Sequence, residues 1–172
     1  MRLFSRRSFL VTLLAGGLVA AAIGAASAPA LELRTFNAGS LAAIKQAHAG
    51  RPFVVAFWSV SCEPCREEMM ILADLHRRFP KVPIVLVAAD APAHREAVAR
   101  FLGGYKLGRI ETWQFGEESM ERLRYSVDKS WAGELPRSYF FNAAHEATAH
   151  SGVVDAKWLG GWLAAAEKTK GK

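Results

Sequence analysis

FWSVSCEPCREEMM, residues 57–70, decides how this chain is read. It holds the only two cysteines, Cys62 and Cys65, separated by Glu63 and Pro64. An unbroken apolar run, Phe53 to Trp58, leads into it, and a long helix-forming segment leads out. Strand, Cys-x-x-Cys, helix is the arrangement of a thiol–disulfide redox site. A cysteine at a helix start meets unpaired backbone N–H groups and the positive end of the helix dipole, and both stabilise a thiolate. Cys62 stands at that start and is the expected attacking nucleophile. Cys65, one turn deeper, is placed to resolve a mixed disulfide. Pro64 falls in the first turn, where its missing N–H costs nothing. A zinc site would need about four ligands, and only two cysteines exist with no histidine at ligand spacing. A purely structural disulfide closing so short a loop would give little entropic stabilisation. No metal and no cofactor is called for.

The first thirty residues read as an export signal. Arg2, Arg6 and Arg7 precede an Ala/Gly-rich apolar run from Phe9 to Ala26, and small residues close it. That is the layout of a cleavable secretory signal. Ser5-Arg6-Arg7-Ser8-Phe9-Leu10 is similar to the twin-arginine motif, with Val11 where Lys is usual. Cleavage is expected after Ala30, giving a domain of residues 31–172. The competing reading is an uncleaved anchor of 18 residues, at the lower edge of what spans a bilayer. Either way the globular part is expected outside the cytoplasm, in the periplasm, where a disulfide persists. The whole chain carries a formal +6; the part after residue 30 holds 19 basic and 16 acidic residues, a mildly basic surface. Nucleic acid is not an expected partner.

Beyond residue 30 strands and helices alternate. Leu31 to Phe36 reads as a strand, and Ser40 as the cap of a helix to about His48. Phe53–Trp58 and Ile84–Ala89 are apolar throughout, as strands buried on both faces are. Between them a helix runs from Glu63 to about Phe79. Asp90 and Pro92 start another, which Gly103 and Gly104 are expected to stop. Ile110 to Phe115 and Glu117 to Ser126 read as a further strand and helix. Arg137–Asn142 and Ala147–Ser151 form a hairpin. A last helix, about Asp155 to Glu167, is expected to bury Trp158, Leu159, Trp162, Leu163 and Ala166. The result is an α/β protein, a sheet covered on both faces.

PFVVAFWSVSCEPCREE resembles the thioredoxin superfamily, and within it the TlpA/ResA-like thiol–disulfide oxidoreductases. The residues that carry the likeness are Phe57, Trp58, Cys62, Pro64, Cys65, Arg66 and Glu68. Leu135-Pro136-Arg137-Ser138 resembles that family's cis-proline segment. The resemblance implies a thioredoxin-like fold with a central mixed sheet and a cis Pro136 beside the cysteines. It also implies an extra strand–helix insertion, Ile110 to Ser126, before the cis-proline strand. Ala56 stands where plain thioredoxins keep a buried Asp, which leaves Glu68 as the candidate for proton transfer with Cys65. Ser61 replaces a usual Trp, and Met70 a kinking Pro. Trp58, Ser61, Trp131 and Leu135 are the expected substrate-contacting residues; Trp131 reads equally as a cover on the core edge. Glu63 and Glu68 bring negative charge toward the sulfurs, which opposes thiolate formation and favours a reductant. Arg66 pulls the other way.

The resemblance thus implies a monomeric reductase of disulfides in exported client proteins, such as apocytochromes c or copper-site proteins. It would be re-reduced by a membrane thiol-transfer protein. Two alternatives stay open. One is a Sco-like copper carrier using the two thiolates with Met69 or Met70; the other is a thiol oxidase on the same scaffold.

Overall fold

The computed structural model describes residues 32–105, 107 and 110–169; the expected signal, residues 1–30, lies outside the described residues. Six strands form one sheet: β1 (Leu33–Phe36), β2 (Phe53–Trp58), β3 (Ile84–Ala88), β4 (Glu111–Phe115), β5 (Arg137–Phe141) and β6 (Ala147–Ser151). Five helices connect or follow them: α1 (Ser40–Ala47), α2 (Glu63–Arg78), α3 (Arg95–Gly104), α4 (Met120–Val127) and α5 (Ala156–Thr169). The strand order is β1-β4-β3-β2-β5-β6. β1, β4, β3 and β2 run parallel; β5 is antiparallel to β2, and β6 to β5. The strand of the expected insertion, β4, enters inside the sheet, between β1 and β3.

The apolar pattern of β2 explains why it is central. All six of its residues are buried, and successive side chains serve opposite faces. Val54, Ala56 and Trp58 join the core beneath α2, α3 and α5, with Cys65, Met69, Leu72, Val98, Leu159 and Leu163. Phe53, Val55 and Phe57 join the core beneath α1 and α4, with Ile44, Phe115, Leu123 and Trp131. Phe57 is its hub. Its ring lies 4.8 Å from Trp131, 5.6 Å from Phe36, 5.9 Å from Tyr139 and 6.2 Å from Phe115 between centroids.

Several boundaries differ from the sequence reading. Ser40 opens α1 instead of capping it: its Oγ accepts from the Asn37 N–H at 2.8 Å and closes the preceding turn, while Gly39 is the cap position. Gly103 and Gly104 lie within α3 as its last two residues, and the helix ends with them. The helix after β4 begins later than expected, at Met120, because Ser119 Oγ caps it by accepting from Arg122 N. Trp158 is 44% exposed: it leaves the expected buried stripe and lays its ring edge-on against Phe140 at 4.9 Å. Among the described residues no helix is long and apolar enough to cross a membrane.

Truncating the hub tests this account of the core. Phe57→Ala removes a fully buried ring with four aromatic neighbours and should cost about 3–5 kcal/mol. Urea unfolding of the oxidised protein should show the midpoint fall with little change in slope; a cost below about 1 kcal/mol would remove Phe57 from its central position.

Candidate redox site

Parallel strands deliver the site. β2 and β3 end at the same edge of the sheet, so the loops after Trp58 and after Ala88 lie side by side. The antiparallel β5 begins at that edge: Phe57 pairs with Arg137, and one step further along the register Pro136 comes beside Trp58. The Leu135–Pro136 peptide bond is cis, as the resemblance implied. Three chain segments therefore meet around the cysteines.

Cys62 caps α2 in extended conformation, and its Sγ accepts from the Cys65 N–H at 3.2 Å. Cys62 N donates to Ser59 O at 3.1 Å, closing the turn that leads into the helix. The two cysteines form a disulfide, with Cα atoms 5.3 Å apart. They are unequal in exposure: Cys62 is half-buried and Cys65 fully buried. Only Cys62 is therefore open to attack from, or on, a partner. Pro64 is exposed in the first turn of α2, as expected.

Glu63 and Arg66 pair with each other at 3.1 Å, both exposed. The Arg66 guanidinium also lies over Phe101 at 5.3 Å, and Phe101 stacks on Trp58 at 4.7 Å. This pairing and the surrounding solvent screen part of the charge of Glu63.

Glu68 is different. It lies one turn beyond Cys65, fully buried, with no ion-pair partner among the described residues. Its Oε1 accepts from Ser138 Oγ at 2.6 Å, and its Oε2 has no hydrogen-bond partner among the described residues. Desolvation pushes its pKa up to about 7, against the smaller downward pull of the Ser138 hydroxyl. Ala56 is the cross-strand partner of Ser138. Two small side chains face each other across β2 and β5, and the helix carboxyl reaches down to that spot. A buried carboxyl thus reaches the Ala56–Ser138 pair from α2.

Two expected substrate contacts are corrected. Trp58 is wholly buried beneath Phe101 and cannot touch a client. Trp131 is 5% exposed, its ring tilted against Phe57, with its Nε1 donating to Glu134 O at 2.9 Å. It braces the loop before Pro136 from inside, so the core-cover alternative is the one realised. Ser61 is exposed and Leu135 half-buried at the rim.

Sequence reasoning missed the polar ties that hold these segments. The buried Asp90 accepts from Ser59 Oγ at 3.0 Å and from Val60 N at 3.2 Å, anchoring the turn before Cys62. Its sequence signal is a carboxylate just past the strand next to β2, where, with Pro92 following, it also carries the pattern of a helix start. Arg137 donates to Asp128 at 2.8 Å, to Glu134 at 3.2 Å, to Tyr139 Oη at 3.1 Å and to Ser151 Oγ. Asp128 is held down to about 2, mainly by the hydroxyl and N–H of Ser130 and then by Arg137 and Tyr139. Gly133, at φ 107°, supplies the left-handed backbone with which the loop turns against the Arg124 guanidinium. Met69, a candidate copper ligand by sequence, is buried in the core, and Met70 is exposed on the outer face of α2. Among the described residues no group of three or more His, Cys, Asp or Glu side chains is arranged to hold a metal ion.

Comparison with solved structures places this architecture. The chain is similar to a secreted disulfide oxidoreductase of Mycobacterium tuberculosis, at 22% identity, 70% of this chain, 85% of that one and a TM-score of 0.56. It is also similar to a thioredoxin-family thiol:disulfide interchange protein of Chlorobium tepidum, at 14% identity, 71% and 83% coverage and a TM-score of 0.59. A secreted thiol-disulfide isomerase of Corynebacterium glutamicum aligns at 16% identity, 74% and 75% coverage and a TM-score of 0.58. The fold is thioredoxin-like. No protein-family model matches the sequence, and no curated relative matches it.

The buried carboxyl has a thermodynamic signature. Because the folded-state pKa of Glu68 is raised from 4.5 to about 7, the folded protein binds more protons than the unfolded chain between those values, and stability falls as pH rises through that window. His76, whose pKa burial lowers, contributes the opposite slope. Comparison with Glu68→Gln isolates the carboxyl. In urea unfolding of the oxidised protein, the variant should gain on the parent between pH 5 and pH 8 by up to about 3 kcal/mol. Parallel pH curves would show that Glu68 does not titrate in that range.

Proposed function

We propose that this protein is an exported thiol–disulfide oxidoreductase that reduces disulfides in client proteins. The observation that carries the reading is the Cys62–Cys65 disulfide at the start of α2 with a buried, elevated-pKa carboxyl one turn behind it. The reduced site works in two steps. The Cys62 thiolate attacks one sulfur of the client disulfide, forming a Cys62–client bond and releasing the other client sulfur as a thiolate, which takes a proton from solvent. Glu68 then accepts the Cys65 proton, and the Cys65 thiolate attacks Cys62 Sγ. The Cys62–Cys65 bond forms, the Cys62–client bond breaks, and the client's second sulfur leaves as a thiolate that is protonated in turn. Two electrons pass from the dithiol to the client. A dithiol protein, in this setting a membrane thiol-transfer partner, restores the reduced site.

The direction rests on Glu68. A carboxyl buried near the sulfurs disfavours additional negative charge there, so the dithiol is reluctant to ionise and the disulfide is the favoured product. Arg66 pairs with Glu63 and screens part of its charge. Ser61, Pro64 and the backbone of Leu135 form the open rim against which an extended client segment would lie. Export is supported by the signal-like residues 1–30, and the client class of apocytochromes c or copper-site proteins by the family resemblance. The protein is expected to work as a monomer.

The reduction potential of the Cys62–Cys65 couple, measured in redox buffers, should lie well below that of glutathione. A potential near those of strong disulfide-forming oxidants would reverse the proposed direction. Cys65→Ser should accumulate a stable mixed disulfide through Cys62, whereas Cys62→Ser should trap nothing. Tight stoichiometric Cu(I) binding without disulfide exchange would favour the copper-carrier reading instead.

A further inference from the structure

Among the described residues Ser138 is the one side chain that hydrogen-bonds the Glu68 carboxyl, and it is as completely buried as its partner. A buried hydroxyl costs free energy unless it is hydrogen-bonded. Here the bond goes to a single oxygen of a carboxyl 70 residues away in sequence. The flanking strand positions, Tyr139 to Phe141, are all apolar or aromatic. Across the sheet Ser138 faces Ala56 on one side and His150 on the other.

From this geometry we infer that Ser138 is a positioning residue: its hydroxyl pins Glu68 Oε1, leaves Oε2 as the oxygen that receives the Cys65 proton, and sets the pH at which that transfer occurs. The inference rests on the reading of Glu68 as the proton acceptor. A hydroxyl that donates to a carboxylate stabilises the charged form more than the neutral one. Held in this way, the carboxyl cannot rotate to present both oxygens equally, and the donor opposes the desolvation that would otherwise keep Glu68 protonated at neutral pH. Ser138 thus keeps a buried acid usable as a base.

The other titratable groups on this side of the sheet do not replace it. On α2, Cys65 is in the disulfide, while Glu63, Arg66 and Glu67 are exposed. His76, half-buried further along α2, has a neutral form favoured by burial. On β6, half-buried His150 makes its ring contact with Val153 O at 3.3 Å. Arg95, Glu96 and Arg100 on α3, and Asp155, Lys157 and Lys168 at α5, are exposed; Glu167 accepts from Lys81 N.

The test is a two-step stopped-flow reaction of the reduced full-length protein with 5,5′-dithiobis(2-nitrobenzoic acid). Cys62 attack releases the first coloured thiolate and Cys65 resolution the second. Loss of the Ser138 donor leaves Glu68 protonated to higher pH. Ser138→Ala should therefore move the pH midpoint of the second step upward, relative to the first, by about one unit. Ser138→Thr, which keeps the hydroxyl, should restore the parent profile, a rescue that a packing role would not predict. Glu68→Gln is the companion arm. If Glu68→Gln alters the second-step profile but Ser138→Ala does not, the inference about Ser138 is wrong and the role of Glu68 stands. If Glu68→Gln leaves the second step unchanged, the acceptor reading itself fails, and with it the role of Ser138. Equal shifts of both steps in Ser138→Ala would mean general disturbance of the site and would also overturn the inference.

Discussion

The Glu68 carboxyl lies wholly out of water without a cation beside it among the described residues, and the proposed redox chemistry turns on that fact. Burying an unpaired carboxylate is costly, and a protein meets the cost by protonating the group or by surrounding it with donors. This chain does some of each: one hydroxyl donates to Oε1, Oε2 has no partner among the described residues, and burial pushes the pKa up to about 7. A group poised there can take a proton from one sulfur and return it on the same cycle. Placed beside a solvated surface, the same glutamate would be a permanent anion with little capacity to hold the proton.

The sheet creates the space for this group. β2 and β5 run antiparallel in a register that sets Ala56 against Ser138, two of the smallest side chains in the central strands. Larger residues there would fill the volume into which Glu68 descends from α2. The turn that starts α2 is fixed by Asp90 at the end of the neighbouring strand, and the segment before Pro136 by Arg137 and Asp128. A half-buried Cys62, a buried Cys65 and a buried acid thus follow one another down a single helix, held from three directions. The aromatic cluster around Phe57 supports the arrangement from the opposite face.

Much of this was legible because it follows from local pattern. The all-apolar runs of β2 and β3 can only be strands buried on both faces, and the Cys-x-x-Cys between strand and helix marks the site. Glu68 shared the helical face of Leu72 and Leu75, which pointed inward. What stayed hidden depends on tertiary contact. Nothing local distinguishes Trp131, which folds inward beneath its loop, from a tryptophan at a groove. Ser138 looks like an ordinary strand residue until the cross-strand partner and the helix carboxyl are both known. Asp90 followed by Pro92 carries a helix-start signal, and that signal masked its tie to Val60. Glu63 looked like the tuning charge of the motif, and its pairing with Arg66 at the exposed start of α2 emerges only from the structure.

A direct titration of Glu68 tests the central claim. Carboxyl carbon chemical shifts of Glu68, followed by NMR in the oxidised protein and assigned by comparison with Glu68→Gln, report its ionisation without reference to any sulfur. The account predicts a midpoint near pH 7, as burial requires. A midpoint close to 4.5, the ordinary value for glutamate, would mean that water reaches the carboxyl and that it is no reservoir for the Cys65 proton.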